Sequence, residues 1–239
     1  MPADIADNIA KVRQRIRSAW IKSGRTGAEP LLLAVSKGQP GSAIRAAVAA
    51  GVLDIGENYW QEAEPKLAEL AELPIAWHFI GPLQANKTRA VAAHFQWVHS
   101  VDRGKIAERL AAQRPSHLPP LNVCLQVNIN DEHTKSGIDP AGLDELAAVV
   151  AALPQLRLRG LMAIPRAAAD PAGQRRNVAL LRAEFERLQQ RWPQLDTLSI
   201  GMSADLEAAI AEGSTLLRIG TDIFGSRRPH QPVSTTDDV

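Results

Sequence analysis

The chain has 239 residues, 45% of them hydrophobic, with 27 Lys and Arg against 26 Asp and Glu. A formal charge of +1 argues against a dominant nucleic-acid or membrane role and leaves room only for a local basic groove. A single cysteine, Cys124, excludes an internal disulfide and a cysteine-rich zinc site and fits a reducing cytoplasm.

The first twenty residues, MPADIADNIAKVRQRIRSAW, carry Ile5, Ile9, Val12 and Ile16 at helical spacing among mixed charges. This pattern predicts an amphipathic helix, not a signal peptide. Eight short apolar runs follow: Leu31 to Ser36, Leu53 to Gly56, Ile75 to Ile80, Trp97 to Val101, Val123 to Ile129, Leu158 to Ile164, Leu198 to Met202 and Leu216 to Ile219. Between them lie segments rich in good helix formers. These are Ala43 to Ala50, Gln61 to Ala71, Gln84 to Ala93, Lys105 to Ala112, Leu143 to Ala152, Asn177 to Gln190 and Ala204 to Ala211. Alternation of this kind predicts a parallel sheet covered by helices.

Eight repeats with no Gly-rich dinucleotide fingerprint after the first run point to an α/β fold closed as a single (β/α)8 TIM barrel with an extra N-terminal helix. That helix is expected to fill a place in the outer ring, because little chain follows the eighth run. Residues 1–228 are read as the barrel and 229–239, which lack apolar periodicity, as a loose tail. The longest apolar run, Leu146 to Leu153, falls far short of the roughly 20 residues that span a bilayer. A cytoplasmic protein, monomeric by default, is expected.

Barrels of this kind carry their chemistry at the C-terminal ends of the strands. Lys37 ends the first run, where an apolar wall lowers an amine's pKa and favours Schiff-base chemistry; a solvated terminal lysine is the plainer reading. The loops after runs seven and eight read Gly201-Met202-Ser203 and Gly220-Thr221, and these loops are a recurrent phosphate site in the fold. Ser203 is expected to begin a helix, SADLEAAIAEG, either as an ordinary N-cap or as a phosphate ligand. Arg218 shares a strand face with Gly220. Facing inward, it would need either a buried ion pair or an acceptor such as a cofactor's pyridine nitrogen. His78 reads as a core or pocket-rim histidine more readily than as a base. The six histidines show no metal-ligand spacing.

Several long segments resemble one family. They are AVSK (34–37), IGENYWQEAEPK (55–66), WHFIGPLQANKTRAV (77–91), VNINDEHTKSGI (127–138), GLMAI (160–164), LSIGMSADLEAAIAEGST (198–215) and LRIGTDIFGSR (217–227). The chain is identified by them as a member of the pyridoxal phosphate homeostasis proteins, related to the N-terminal barrel of alanine racemase. The resemblance implies a fold-type III barrel binding pyridoxal 5′-phosphate (PLP) as a Schiff base on Lys37. It assigns Ser203, Gly220 and Thr221 to the phosphate end, Met202 to the cofactor site, and Arg218 to the pyridine nitrogen. It assigns Asn58, His78 and Met162 to the pocket lining. It implies a role in intracellular PLP homeostasis and supply, with PLP-dependent apoenzymes as recipients. His133 and Lys135 sit in the loop after run five, where Lys135 reads first as a solvated lysine and otherwise as a group that collects anions or relays PLP. The alternative is a racemase-like enzyme. Racemisation needs a base on each face of the substrate, and the chain is expected to leave no room for the separate domain that supplies the second base in alanine racemase. A lysine-dependent aldolase is a weaker third reading, because no acid/base residue beside Lys37 is identified.

Overall fold

Asp4 starts the first helix by accepting the backbone N–H groups of Ala6 and Asp7. This helix, α1 (Ile5–Lys22), buries Ile9, Val12, Ile16, Ala19 and Trp20 on one face. Eight strand–helix units follow in the computed structural model, which describes residues 4–130 and 136–225. They are β1 (Leu31–Val35), α2 (Gly41–Ala49), β2 (Asp54–Glu57), α3 (Trp60–Glu69), β3 (Ala76–Phe79), α4 (Thr88–His94), β4 (Trp97–Val101) and α5 (Gly104–Gln113). The second half contains β5 (Leu121–Gln126), α6 (Leu143–Ala151), β6 (Leu156–Met162), α7 (Pro171–Gln189), β7 (Thr197–Ser199), α8 (Leu206–Ala211), β8 (Leu216–Ile219) and α9 (Thr221–Phe224).

All eight strands run parallel and in order, and β8 closes on β1 with Leu31 opposite Leu216 and Leu33 opposite Arg218. The expected barrel is therefore present. Helix α1 packs against α2, α8 and α9, filling the ring where α9, at four residues, is too short to do so.

The boundaries differ where local chemistry overrides periodicity. Helix α7 starts at Pro171, well before Asn177, because Asp170 accepts the N–H of Gly173 and Pro171 takes the first helical position. Helix α4 starts at Thr88, after a turn in which Lys87 N bonds Gln84 O. Helix α8 starts at Leu206, so Ser203 is not its N-cap. Asp205 Oδ1 accepts the N–H of Met202 at 2.6 Å and folds 202–205 into a turn. Gly201 precedes that turn at φ +106°, where a Cβ would lie 2.5 Å from the Cβ of Ala209. Residues 229–239, His133 and Lys135 lie outside the described residues.

Strand alternation sorts the side chains into two layers. Outward-facing residues such as Ala34, Ile55 and Phe79 join Ile44, Val91, Leu110, Leu146 and Leu181 of the helices in one large core. A small separate apolar cluster, Leu33, Val35, Ile80 and Leu216, lies inside the barrel. The rest of the interior includes His78, His99, Ser199 and Arg218, all buried.

Cys124 is wholly buried, and burial pushes its thiol up to about 12. The thiolate is the reactive form, so at pH 8 a thiol-exchange reagent should leave native Cys124 unmodified and titrate it fully in denaturant. Rapid stoichiometric labelling of the native protein would show that the β5 region opens readily.

Candidate functional site

A cavity of about 290 Å³ opens on the rim formed by the C-terminal strand ends. Its walls include Lys37, Asn58, Met202, Ser203, Arg218, Gly220 and Thr221. Seven of the nine residues singled out from the sequence thus share one cavity. His78 and Met162 do not border it; both are fully buried. His78 sits one inward-facing position below Ile80 on β3, and it is Ile80 that reaches the cavity. On the β6 side Ile164 lines the wall instead of Met162.

The backbone around Lys37 is pinned on both sides. Ser36 donates its hydroxyl to Glu57 Oε1 at 2.5 Å, and Lys66 Nζ donates to Ser36 O at 2.9 Å and to Glu57 Oε1 at 2.6 Å. On the other side Gly38, at φ +70°, donates its N–H to Glu62 at 2.8 Å. Burial raises the Glu57 carboxyl, while the ammonium of Lys66 opposes that rise. Glu57 and Lys66 fall in the same 55–66 segment as Asn58, but their pairing is invisible in a sequence because it depends on α3 folding back over the end of β1.

Asn58 is held by close backbone packing. A Cβ at Gly81 would lie 2.1 Å from Asn58 O, so only glycine lets the β3 end approach. Asn58 Oδ1 is buried and has no hydrogen-bond partner among the described residues. Such an atom is costly unless a ligand or water satisfies it.

Arg218 is 5% exposed. Its Nη1 donates to Ser199 O at 2.6 Å and Ser199 Oγ at 2.9 Å, and its Nη2 donates to Ala163 O at 2.8 Å. No carboxylate among the described residues lies within ion-pair distance, so the buried ion pair considered for it is not formed. Burial pushes the guanidinium down to about 10, against the opposing fields of Asp205 and Cys124. It therefore stays cationic at neutral pH.

Arg15 on α1 ties the two glycine-bearing loops together. It donates to Ser203 O at 3.1 Å, to Asp222 Oδ2 at 2.6 Å and to Glu207 on α8. Its partners lie about 190 or more positions away in sequence, so nothing local marks it.

A closed parallel barrel with a lysine, an arginine and two glycine-bearing loops on one rim defines the class of alanine-racemase-like barrels. The model of the family "Alanine racemase, N-terminal domain" matches residues 3–228. The chain belongs to that family and, within it, to the pyridoxal phosphate homeostasis proteins. It is 60% identical to the Pyridoxal phosphate homeostasis protein of Pseudomonas aeruginosa over 96% of this chain and 99% of that one. With the protein of that name from Escherichia coli K12 it shares 55% identity over 94% and 97%. The structure of PipY from Synechococcus elongatus PCC7942 with PLP bound superposes with a TM-score of 0.81 at 39% identity, covering 92% of this chain and all of that one. Alanine racemase from Corynebacterium glutamicum shares the fold, at a TM-score of 0.70 and 15% identity over 97% of this chain and 62% of the racemase.

Replacing Lys66 with Met should leave Glu57 buried without its cation. A stability loss of about 3–5 kcal/mol is expected, read as a lower denaturation midpoint. Adding Glu57→Leu should recover much of it, because removing both charges costs less than stranding one. An unchanged midpoint in Lys66→Met would mean the pair does not hold the Lys37 turn.

Proposed function

We propose that this chain binds PLP in the rim cavity, carries it as a Schiff base on Lys37, and serves intracellular PLP homeostasis and supply. The observation that carries the reading is the convergence on one cavity of Lys37, Arg218, and the Met202–Ser203 and Gly220–Thr221 loops. The homeostasis proteins that this chain resembles, and PLP-bound PipY, support the same cofactor.

When bound, PLP supplies a reactive aldehyde and an electron-accepting ring. The chain's own groups match its parts. Lys37 Nζ provides the attachment point, and its pinned turn limits where that amine can reach. Ser203 and Thr221 offer hydroxyls, and the turn backbone beside Gly220 offers N–H groups, for a phosphate. Val35, Ile80 and Ile164 give apolar walls for a ring. Asn58 Oδ1, buried without a partner, accepts one hydrogen bond from a ligand or bound water. Arg218, which borders the cavity, would be the donor for the ring nitrogen. A guanidinium that stays cationic at neutral pH would hold that nitrogen unprotonated and so limit the ring as an electron sink.

The same reading makes the protein a cytoplasmic monomer that passes PLP to PLP-dependent apoenzymes. The near-neutral charge and lone buried cysteine support that setting. Among the described residues no helix is long and apolar enough to cross a membrane.

Borohydride reduction followed by peptide mass mapping tests the reading directly. A phosphopyridoxyl group is expected on Lys37, and Lys37→Ala should lose it while retaining weaker binding through the phosphate contacts. Equal covalent loading of wild type and Lys37→Ala would move the attachment to another lysine. Ser203→Ala should weaken PLP retention by about 1 kcal/mol, the value of one hydrogen bond; unchanged affinity would remove Ser203 from the site.

A further inference from the structure

A line of polar side chains crosses the barrel from end to end. Asp54, at the start of β2, borders a separate cleft of about 570 Å³ at the N-terminal ends of β1 and β2, alongside Arg13, Arg17 and Glu29. Asp54 Oδ1 lies 3.0 Å from His78 Nε2, and His78 Nδ1 lies 2.9 Å from His99 Nε2. His99 Nδ1 lies 2.9 Å from Ser199 Oγ, which accepts from Arg218 Nη1 at 2.9 Å. His78, His99 and Ser199 have no exposed surface. His78 also stacks on Trp97, with ring centroids 5.3 Å apart. Arg159, itself paired with Asp196, covers that indole.

Proton counting fixes the direction of this chain. An ionised Asp54 only accepts, so His78 donates from Nε2. A neutral imidazole has a single N–H, so His78 Nδ1 accepts from His99 Nε2. His99 Nδ1 then accepts the Ser199 hydroxyl proton. The hydroxyl oxygen is left to receive Arg218, which has donors only. Burial lowers the pKa of both histidines, and for His99 the neighbouring His78 and Arg218 lower it further. Every neutral member turns its negative end toward the guanidinium and its N–H or O–H toward the carboxylate. One order therefore stabilises both terminal charges, whereas the reverse order turns a Ser199 or histidine proton toward Arg218.

We propose that His78, His99 and Ser199 are positioning residues that fix the Arg218 guanidinium in the cofactor pocket and couple it to Asp54 at the opposite end of the barrel. The inference deepens the PLP reading above and rests on it for the role of Arg218. Ser199 is the decisive link, because Nη1 is bound by both its carbonyl and its hydroxyl oxygen. His99 draws the hydroxyl proton away from Arg218 and keeps that oxygen an acceptor. Removing the carboxylate charge at Asp54 lets the tautomers reverse, and the guanidinium then loses the Ser199 hydroxyl as an acceptor and keeps only Ser199 O and Ala163 O.

Nitrogen-resolved NMR of the unloaded protein tests the chain without any cofactor. Both imidazoles are expected as neutral Nε2–H tautomers at neutral pH, with any titration displaced below that of an ordinary histidine. An Nδ1–H tautomer at either ring, or titration of both near the unperturbed value of about 6.5, overturns the proposal. In PLP-loaded protein, Asp54→Asn and Ser199→Ala should each weaken PLP retention about tenfold, equivalent to about 1.4 kcal/mol. They should also shift the pH dependence of the cofactor's visible absorption. Ser199→Thr, which keeps the hydroxyl, should recover most of the Ser199→Ala loss. Wild-type affinity and spectra in Asp54→Asn and Ser199→Ala, with only thermal stability reduced, would make the chain merely structural and sink the proposal. A phosphopyridoxyl Lys37 together with the wrong tautomers refutes the chain alone. If reduction leaves Lys37 unmodified, the PLP reading fails and the tautomers decide the chain.

Discussion

A guanidinium buried inside a β-barrel, with no ion-pair partner among the described residues, sets the terms for the rest of this structure. Arg218 keeps its charge at 5% exposure by donating to two carbonyl oxygens and a hydroxyl. An uncompensated buried ion is costly. The neighbouring interior positions are accordingly taken by Ser199 and His99 rather than by the branched aliphatic residues that usually fill such barrels. Leu33, Val35, Ile80 and Leu216 form only a small apolar cluster there. Stability is carried mainly by the outer layer, where strand and helix residues form one large core.

That division of labour explains the rigidity of the rim. The amine of Lys37 sits on a short turn whose two flanking residues are tied by buried or half-buried groups of α3, Lys66 and Glu62. The opposite loops are tied by Arg15 from α1. Helices on the outside therefore control the geometry of groups on the rim, and the N-terminal helix belongs to the site as much as to the ring. A functional constellation supported in this way loses little entropy when a ligand orders it.

The barrel was legible in the sequence because its two periodicities are local: eight apolar runs and the helical stretches between them. Lys37, Ser203, Gly220 and Thr221 were legible because the fold places strand ends on one rim, and strand ends can be counted. Arg218 was half legible. Its shared face with Gly220 followed from alternation, but its acceptors did not, because Ser199 lies on β7 and Ala163 just beyond β6. His78 and Met162 were placed on the pocket and lie beneath it, since counting along a strand does not say at which layer a cavity ends. The α8 start was misjudged because Asp205, two positions beyond Ser203, folds the intervening residues into a turn of its own. Glu57–Lys66, Arg15 and the His78–His99 contact are tertiary, and no sequence spacing encodes them.

The histidine pair bears on why the interior is polar at all. Two neutral imidazoles in series are a poor way to stabilise a fold, since apolar residues of similar volume would fill the space without the burden of satisfying each ring nitrogen. They make sense as a connection between two charges that must both be present. Asp54 cannot reach Arg218 across the barrel, and a carboxylate placed directly beside Arg218 would form a tight ion pair and draw the guanidinium away from the cavity. A neutral, directional chain supplies part of the same electrostatic support from a distance and leaves Arg218 on the wall of the cavity. The polar interior is then a consequence of needing a cation that is held firmly but not neutralised.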